Sequence, residues 1–205
     1  MKKIYLSLFT VLVWVKSFAV GEIAIVAFQS DGTDTFSWVA LVPIPDGTTI
    51  LFTDKGWEGS GFRLGEGGAV PLTWVGVVAA GTEVTISGSS GAYTATSGAV
   101  TDGSVSLSDD GDQIFAFTGT LAAPNFLTGI NFGSADWTYA NNANTSALPA
   151  ALTNGVNALA MGALDDGRFN CTGGTLMGSA ATMSTTINTL SNWTLSSSIL
   201  VPAVS

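Results

Sequence analysis

Short apolar runs, each about a strand's length and each closed by glycine, proline or aspartate, recur along this chain at intervals of about 8–12 residues. That spacing belongs to a β-sandwich or barrel, because a helix needs a longer run with its apolar positions three or four apart. Ile23–Phe28 is apolar on both faces, as a strand covered on two sides would be. Phe36–Val42 continues the extended pattern, with Phe36, Trp38, Ala40 and Val42 to one side. Thr49–Thr53 is β-branched and aromatic. Val70–Val75, Glu83–Ser87, Ala92–Thr96, Phe126–Phe132, Ala158–Gly162, Trp193–Leu195 and Ile199–Val201 complete the expected strands, and Pro43–Gly47 is expected to leave the ladder because proline lacks the donor. Helical spacing occurs once, in Leu176, Ala180, Met183, Ile187 and Leu190, which predicts one short helix near residues 176–190. The expected fold class is mainly all-β, an extended immunoglobulin-like β-sandwich.

The first nineteen residues read as an address. Lys2 and Lys3 precede an apolar run from Ile4 to Val15, and Ser17-Phe18-Ala19 supplies small residues where a signal peptidase cuts. A run of about twelve residues is too short for a bilayer, which needs roughly 20. The expectation is a signal peptide over 1–19, a single β-sandwich domain over 20–205, and a secreted or cell-surface location in a bacterium without a transmembrane segment. Nothing resembling a sorting or anchoring segment is read after Val201, so release to the medium is expected. Leu121–Pro124 is the one compositional seam.

Cleavage would leave Lys55, Arg63 and Arg168 against fifteen acidic residues, a net charge of −12. Such a chain repels phosphate backbones, which argues against nucleic acid and favours cations or surfaces that carry them. There is no histidine, which removes the usual proton shuttle and the commonest transition-metal ligand. Cys171 is the only cysteine and reads as a small buried apolar residue, the alternative being a bond to another molecule.

The densest carboxylate run is Asp109, Asp110 and Asp112, within Ser106–Phe117. Asp110-Gly111 is a dipeptide preferred in tight hairpin turns, so Ser104–Ser108 and Gln113–Thr118 are expected to be its two strands. Calcium takes six to eight oxygen ligands, and Ser108, Asp109, Asp110 and Asp112 are the candidate ligands, with solvated turn residues as the alternative. Asp31/Asp34 and Asp165/Asp166 form smaller clusters. Two carboxyl groups across a groove are the requirement for a glycosidase, but no local signature marks a pair. Trp57, in a glycine-rich loop, and Trp137, beside Asp136 and Tyr139, are the candidates for stacking on a sugar, with packing as the alternative. Trp38 is expected in the core.

Two stretches, Val39–Trp57 ("VALVPIPDGTTILFTDKGW") and Leu107–Phe117 ("LSDDGDQIFAF"), resemble the lamin-tail-like domains of bacterial secreted proteins over residues 21–120. Leu107, Ser108, Gly111, Asp112 and Ile114 match the late hairpin of that family. The second half resembles uncharacterised secreted bacterial proteins. The resemblance implies an immunoglobulin-like sandwich and an accessory extracellular module without catalytic residues. The expected function is therefore a non-catalytic structural or interaction module, able to self-assemble. Carbohydrate binding or calcium-dependent adhesion is the runner-up, and a paired-carboxylate hydrolase comes third.

Overall fold

The computed structural model describes residues 18–66, 70–89, 91–101, 103–140, 142–171 and 176–198. Nearly all of the expected signal peptide and the expected strand Ile199–Val201 lie outside them. Two six-stranded sheets make up the fold. The first has the order β12 (Trp193–Ser196), β11 (Asp166–Phe169), β1 (Ile23–Gln29), β2 (Thr35–Ala40), β5 (Glu83–Ser89) and β6 (Ala92–Ala95). The second has the order β10 (Ala158–Ala160), β9 (Ala123–Asn131), β8 (Gln113–Thr120), β3 (Ile44–Thr53), β4 (Leu72–Val78) and β7 (Ala99–Thr101). All neighbours are antiparallel except β9 and β10.

The alternation read from the sequence decides which side chains meet between the sheets. Phe36 of β2 packs on Phe52 of β3 with ring centroids 5.0 Å apart. Trp38 of β2 meets Trp74 of β4 edge to face, also at 5.0 Å. Phe28 of β1 stacks on Phe132, just past β9, at 4.2 Å. These rings are buried, and they join the isoleucines of β1, β3, β5 and β8 in one core between the layers. Edge-to-face and offset pairs add stabilisation beyond their buried area. The expected all-β sandwich is what the chain forms, with Trp38 in its core.

Strand β8 is buried on both faces, for a reason that the pattern alone did not give. Ile114 and Ala116 face the main core, whereas Phe115 and Phe117 face outward into a second cluster with Phe62, Phe126, Leu152 and Ala158. Long loops carry Phe62 and Leu152 over the outer face of the sheet. Half-buried Trp57, Trp137 and Leu148 pack against this cluster.

Several expectations change. Ser104–Ser108 is not a strand: β7 pairs with β4, and β8 is preceded by irregular chain, so Asp109–Gly111 is a turn but not the tip of a hairpin. Residues 44–47 are counted within β3, but only Ile44 is paired: Pro45, Asp46 and Gly47 have no partner in β4, where the register shifts between Ile44 and Thr48, so the proline leaves the ladder as expected while the strand runs on through it. Leu121–Pro124 is no domain seam. It holds the tight turn between β8 and β9, which pair along their length. The expected helix is shorter, α1 (Ala180–Ile187), capped by the Ser179 side chain, which accepts the Thr182 N–H. Its apolar side and Leu176 pack against the core as the spacing predicts, but Leu190, the last position of that spacing, lies beyond the helix and is exposed. Cys171 is exposed, not buried. No helix among the described residues is long and apolar enough to cross a membrane.

Candidate functional site

Three successive backbone N–H groups in the irregular segment before β8 have no ladder to join, and each donates to a different carboxylate. Ser106 donates to Asp54 Oδ2 at 2.9 Å, Leu107 to Asp34 Oδ2 at 3.2 Å and Ser108 to Asp112 Oδ2 at 3.1 Å. Amides withdrawn even partly from water need acceptors. Here they come from the turn after β1, the end of β3 and the start of β8. Val105 and Leu107 point into the core, so the segment keeps the alternation of a strand while its amides serve side chains instead.

Asp112 is the hub. Its Oδ1 also accepts the Gln113 N–H at 2.8 Å, and its side chain is 5 % exposed. Gln113 is fully buried, and its Nε2 reaches four oxygens: Asp112 Oδ1 at 2.7 Å, the Ala143 carbonyl at 3.0 Å, Glu66 Oε1 at 3.2 Å and the Asp54 carbonyl. Glu66 is held by its other oxygen, which accepts the Gly56 N–H at 3.1 Å and pairs with Arg63 at 3.3 Å. Arg63 also donates to the carbonyls of Asn142 and Thr145, drawing the loop of residues 142–146 onto the knot. Ser146 completes the seam by accepting the Trp57 N–H at 2.8 Å. Gly56 sits under this seam: a Cβ there would lie 2.7 Å from the Thr145 carbonyl.

The charges are uneven. Asp54, Glu66 and Asp112 crowd together with Asp34 nearby, and only Lys55 and Arg63 oppose them. Burial pushes the Asp112 carboxyl well above the usual carboxylate range, Asp54 adds repulsion, and the Gln113 and Ser108 N–H groups pull it back. Burial raises Asp54 against the Ser106 N–H and Lys55. Burial also raises Glu66, against the Gly56 N–H and Arg63. Asp34 is pushed up to about 6 by burial, opposed by the Leu107 N–H and aided by repulsion from Asp54 and Asp109. Burial and the crowding of like charge both raise a carboxyl by disfavouring its ionised form.

The candidate residues divide. Asp112 lies in the knot. Ser108 is half-buried and its Oγ accepts the Asp110 N–H at 3.2 Å, while Asp109 and Asp110 are exposed on the turn. Trp57 is half-buried, edge to face with Phe62 at 5.2 Å and Phe126 at 5.1 Å. Trp137 tilts on Phe115 at 5.7 Å and donates to Asn154 Oδ1 at 3.0 Å. The Tyr139 hydroxyl donates to Glu58 at 2.8 Å, with the Arg63 guanidinium 5.0 Å from its ring centre. Exposed Asp136 accepts from Ser134 Oγ at 3.3 Å, and its carbonyl accepts from the Asn131 amide. The two loops therefore bring Trp57 and Trp137 to the same covered face of the second sheet, where packing partners engage both indoles, while Tyr139 meets Glu58 and Arg63.

Sequence reading did not single out Asp34, Asp54, Arg63, Glu66 and Gln113 as one group. A signal was there: charged residues are only 10 % of the chain, and two of its three cations beyond residue 19 fall in Lys55–Arg63. Among the described residues, no group of three or more His, Cys, Asp or Glu side chains is arranged to hold a metal. Comparison with protein-family models, curated proteins and solved structures found no match for this chain.

Proposed function

We propose that this chain is a non-catalytic extracellular interaction module that associates with further copies of itself through the edge formed by β6 and β7. The observation that carries this reading is the character of that edge. The chain passes from β6, the last strand of one sheet, directly to β7, the last strand of the other. Between Glu83 and Asp102 it has no charged residue and no proline. Ala92, Thr94, Thr96, Ala99 and Thr101 are exposed. Edge strands present unpaired N–H and C=O groups, which monomeric proteins guard with charge, proline, bulges or short strands; β6 and β7 are short, at four and three residues, but carry neither charge nor proline. An uncharged edge in a protein of net charge −9 is a surface left neutral where the rest repels. Strand addition supplies main-chain hydrogen bonds with little demand on side chains.

Other features support the same reading. The first nineteen residues have the layout of a secretory signal. The resemblance of residues 21–120 to lamin-tail-like domains implies an accessory module. The buried carboxylates of the knot are bound to backbone N–H groups, which suits a scaffold.

Light scattering of the full chain over a range of concentrations tests this. The expected result is a mass that rises with concentration, and a monomer throughout for the double variant Thr94→Lys/Ala99→Lys, which puts one charge on each edge strand. A strict monomer at every concentration overturns the proposal.

A further inference from the structure

We infer that the groove where α1 and the end of β11 meet strands β1 and β2 binds an amphiphile with one apolar chain and a carboxylate head, the head lying at Arg168. The groove has a volume of about 470 Å³. Val26 of β1, Val39 of β2, Phe169 of β11, and Met183 and Ile187 of α1 are among the residues that line it. Sites for small molecules have volumes of about 300–1,000 Å³, with mostly apolar walls and a few polar groups that fix orientation. Here the charged groups are two, Arg168 and Glu83. They stand on β11 and β5, which are separated by β1 and β2. Three strand spacings make that span roughly 14 Å.

The two charges differ in what they need. Glu83 is exposed, and water solvates it. Arg168 is half-buried, and no carboxylate or carbonyl among the described residues is bonded to its guanidinium. The other two cations beyond residue 19 are engaged. Arg63 pairs with Glu66 and Glu58, and Lys55 lies beside Asp54 and Glu66. A guanidinium presents a rigid fork of donors that matches a carboxylate. In a chain of net charge −9 a carboxylate partner is the easiest one to supply, yet Arg168 has none. The fork is left for an anion from outside.

The surroundings of Arg168 give the ligand its direction. Arg168 and Ala27 also border a small cleft with Gln29, Thr35 and Ser37, so the groove is polar at this end and apolar beyond it. A carboxylate at Arg168 sends its chain over Val39 toward β5. An extended hydrocarbon advances about 1.3 Å per carbon for C–C bonds near 1.5 Å, so roughly ten carbons fill the span. Each buried methylene tightens binding about fourfold, which makes affinity depend on chain length. The groove shares no residue with β6 or β7, and the inference is independent of the edge association.

The test is calorimetric titration of the full chain with sodium decanoate below its micellar range, with hexanoate and decyltrimethylammonium as comparisons. One decanoate per chain is expected, and hexanoate should bind about tenfold more weakly or worse. Arg168→Gln should weaken decanoate binding about tenfold or more, because it removes a charge-assisted pair. Cys171, the only cysteine, is exposed and lines the groove. Its alkylation by iodoacetamide should therefore slow several-fold at saturating decanoate. Absence of decanoate binding overturns the inference, as does an affinity that Arg168→Gln leaves unchanged. An unchanged rate at Cys171 places the ligand elsewhere and overturns it too. Decyltrimethylammonium binding more tightly than decanoate does the same, because adsorption to a negative chain favours the cation.

Discussion

Asp54 and Ser106 meet across fifty-two positions of sequence: the Ser106 N–H donates to Asp54 Oδ2 at 2.9 Å, at the end of β3. The contact replaces a ladder bond with a charged one. Removing the carboxylate leaves a part-buried amide without an acceptor and opens the knot around Gln113. Asp54→Ala is expected to lower stability by about 1.5–3 kcal/mol, the range for a hydrogen bond to a charged group. Urea denaturation checks this, and an exposed control, Asp46→Ala, should lie within about 0.5 kcal/mol of the parent.

The knot gives the protein an unusual dependence on pH. Asp34 has its carboxyl raised to about 6, so the folded chain holds a proton that the unfolded chain releases near 4. Stability from this group is present at low pH and is lost as pH rises through about 4 to 6. The raised carboxyls of Asp54, Glu66 and Asp112 act in the same direction. In chelator, melting temperature is expected to fall between about pH 4 and 6. Asp34→Asn should flatten part of that slope. A melting temperature that climbs through this window would show that these carboxyls are not raised.

The turn that joins the two edge strands depends on one glycine. Gly98 has φ +76°, and a Cβ there would lie 2.4 Å from Trp74 Nε1, whose N–H donates to the Ser97 carbonyl at 2.7 Å. Gly98→Ala is expected to cost about 1–3 kcal/mol from backbone strain and the displaced indole. Trp74 is fully buried, so a red-shifted fluorescence in the variant would report its movement. Equal stability and an unchanged spectrum would contradict the tight fit.

Much of the fold was legible because its strands alternate. Phe36 and Trp38 read as one face, and both are in the core. Two strands were not legible. β11 is only Asp166-Gly-Arg-Phe, and what makes it a strand is its pairing with β1 and β12. β7 is three small residues that pair with β4. The segment before β8 was misread for a related reason. Val105 and Leu107 alternate inward as a strand would, but the acceptors for the amides that follow are Asp34, Asp54 and Asp112. Local pattern records which side chains are buried. It does not record a partner that arrives from seventy residues away. The site was half legible for the same reason: Asp112 stood out in an acidic run, whereas Glu66 and Gln113 join it only through the fold.

The claim that the β6–β7 edge is where copies meet is tested most directly by hydrogen exchange of the full chain at low and high concentration. Backbone amides of Ala92–Ala95 and Ala99–Thr101 are expected to exchange more slowly as concentration rises, because strand addition covers them, while those of β1 and β8 keep one rate. Exchange at the edge that is the same at every concentration would contradict the account.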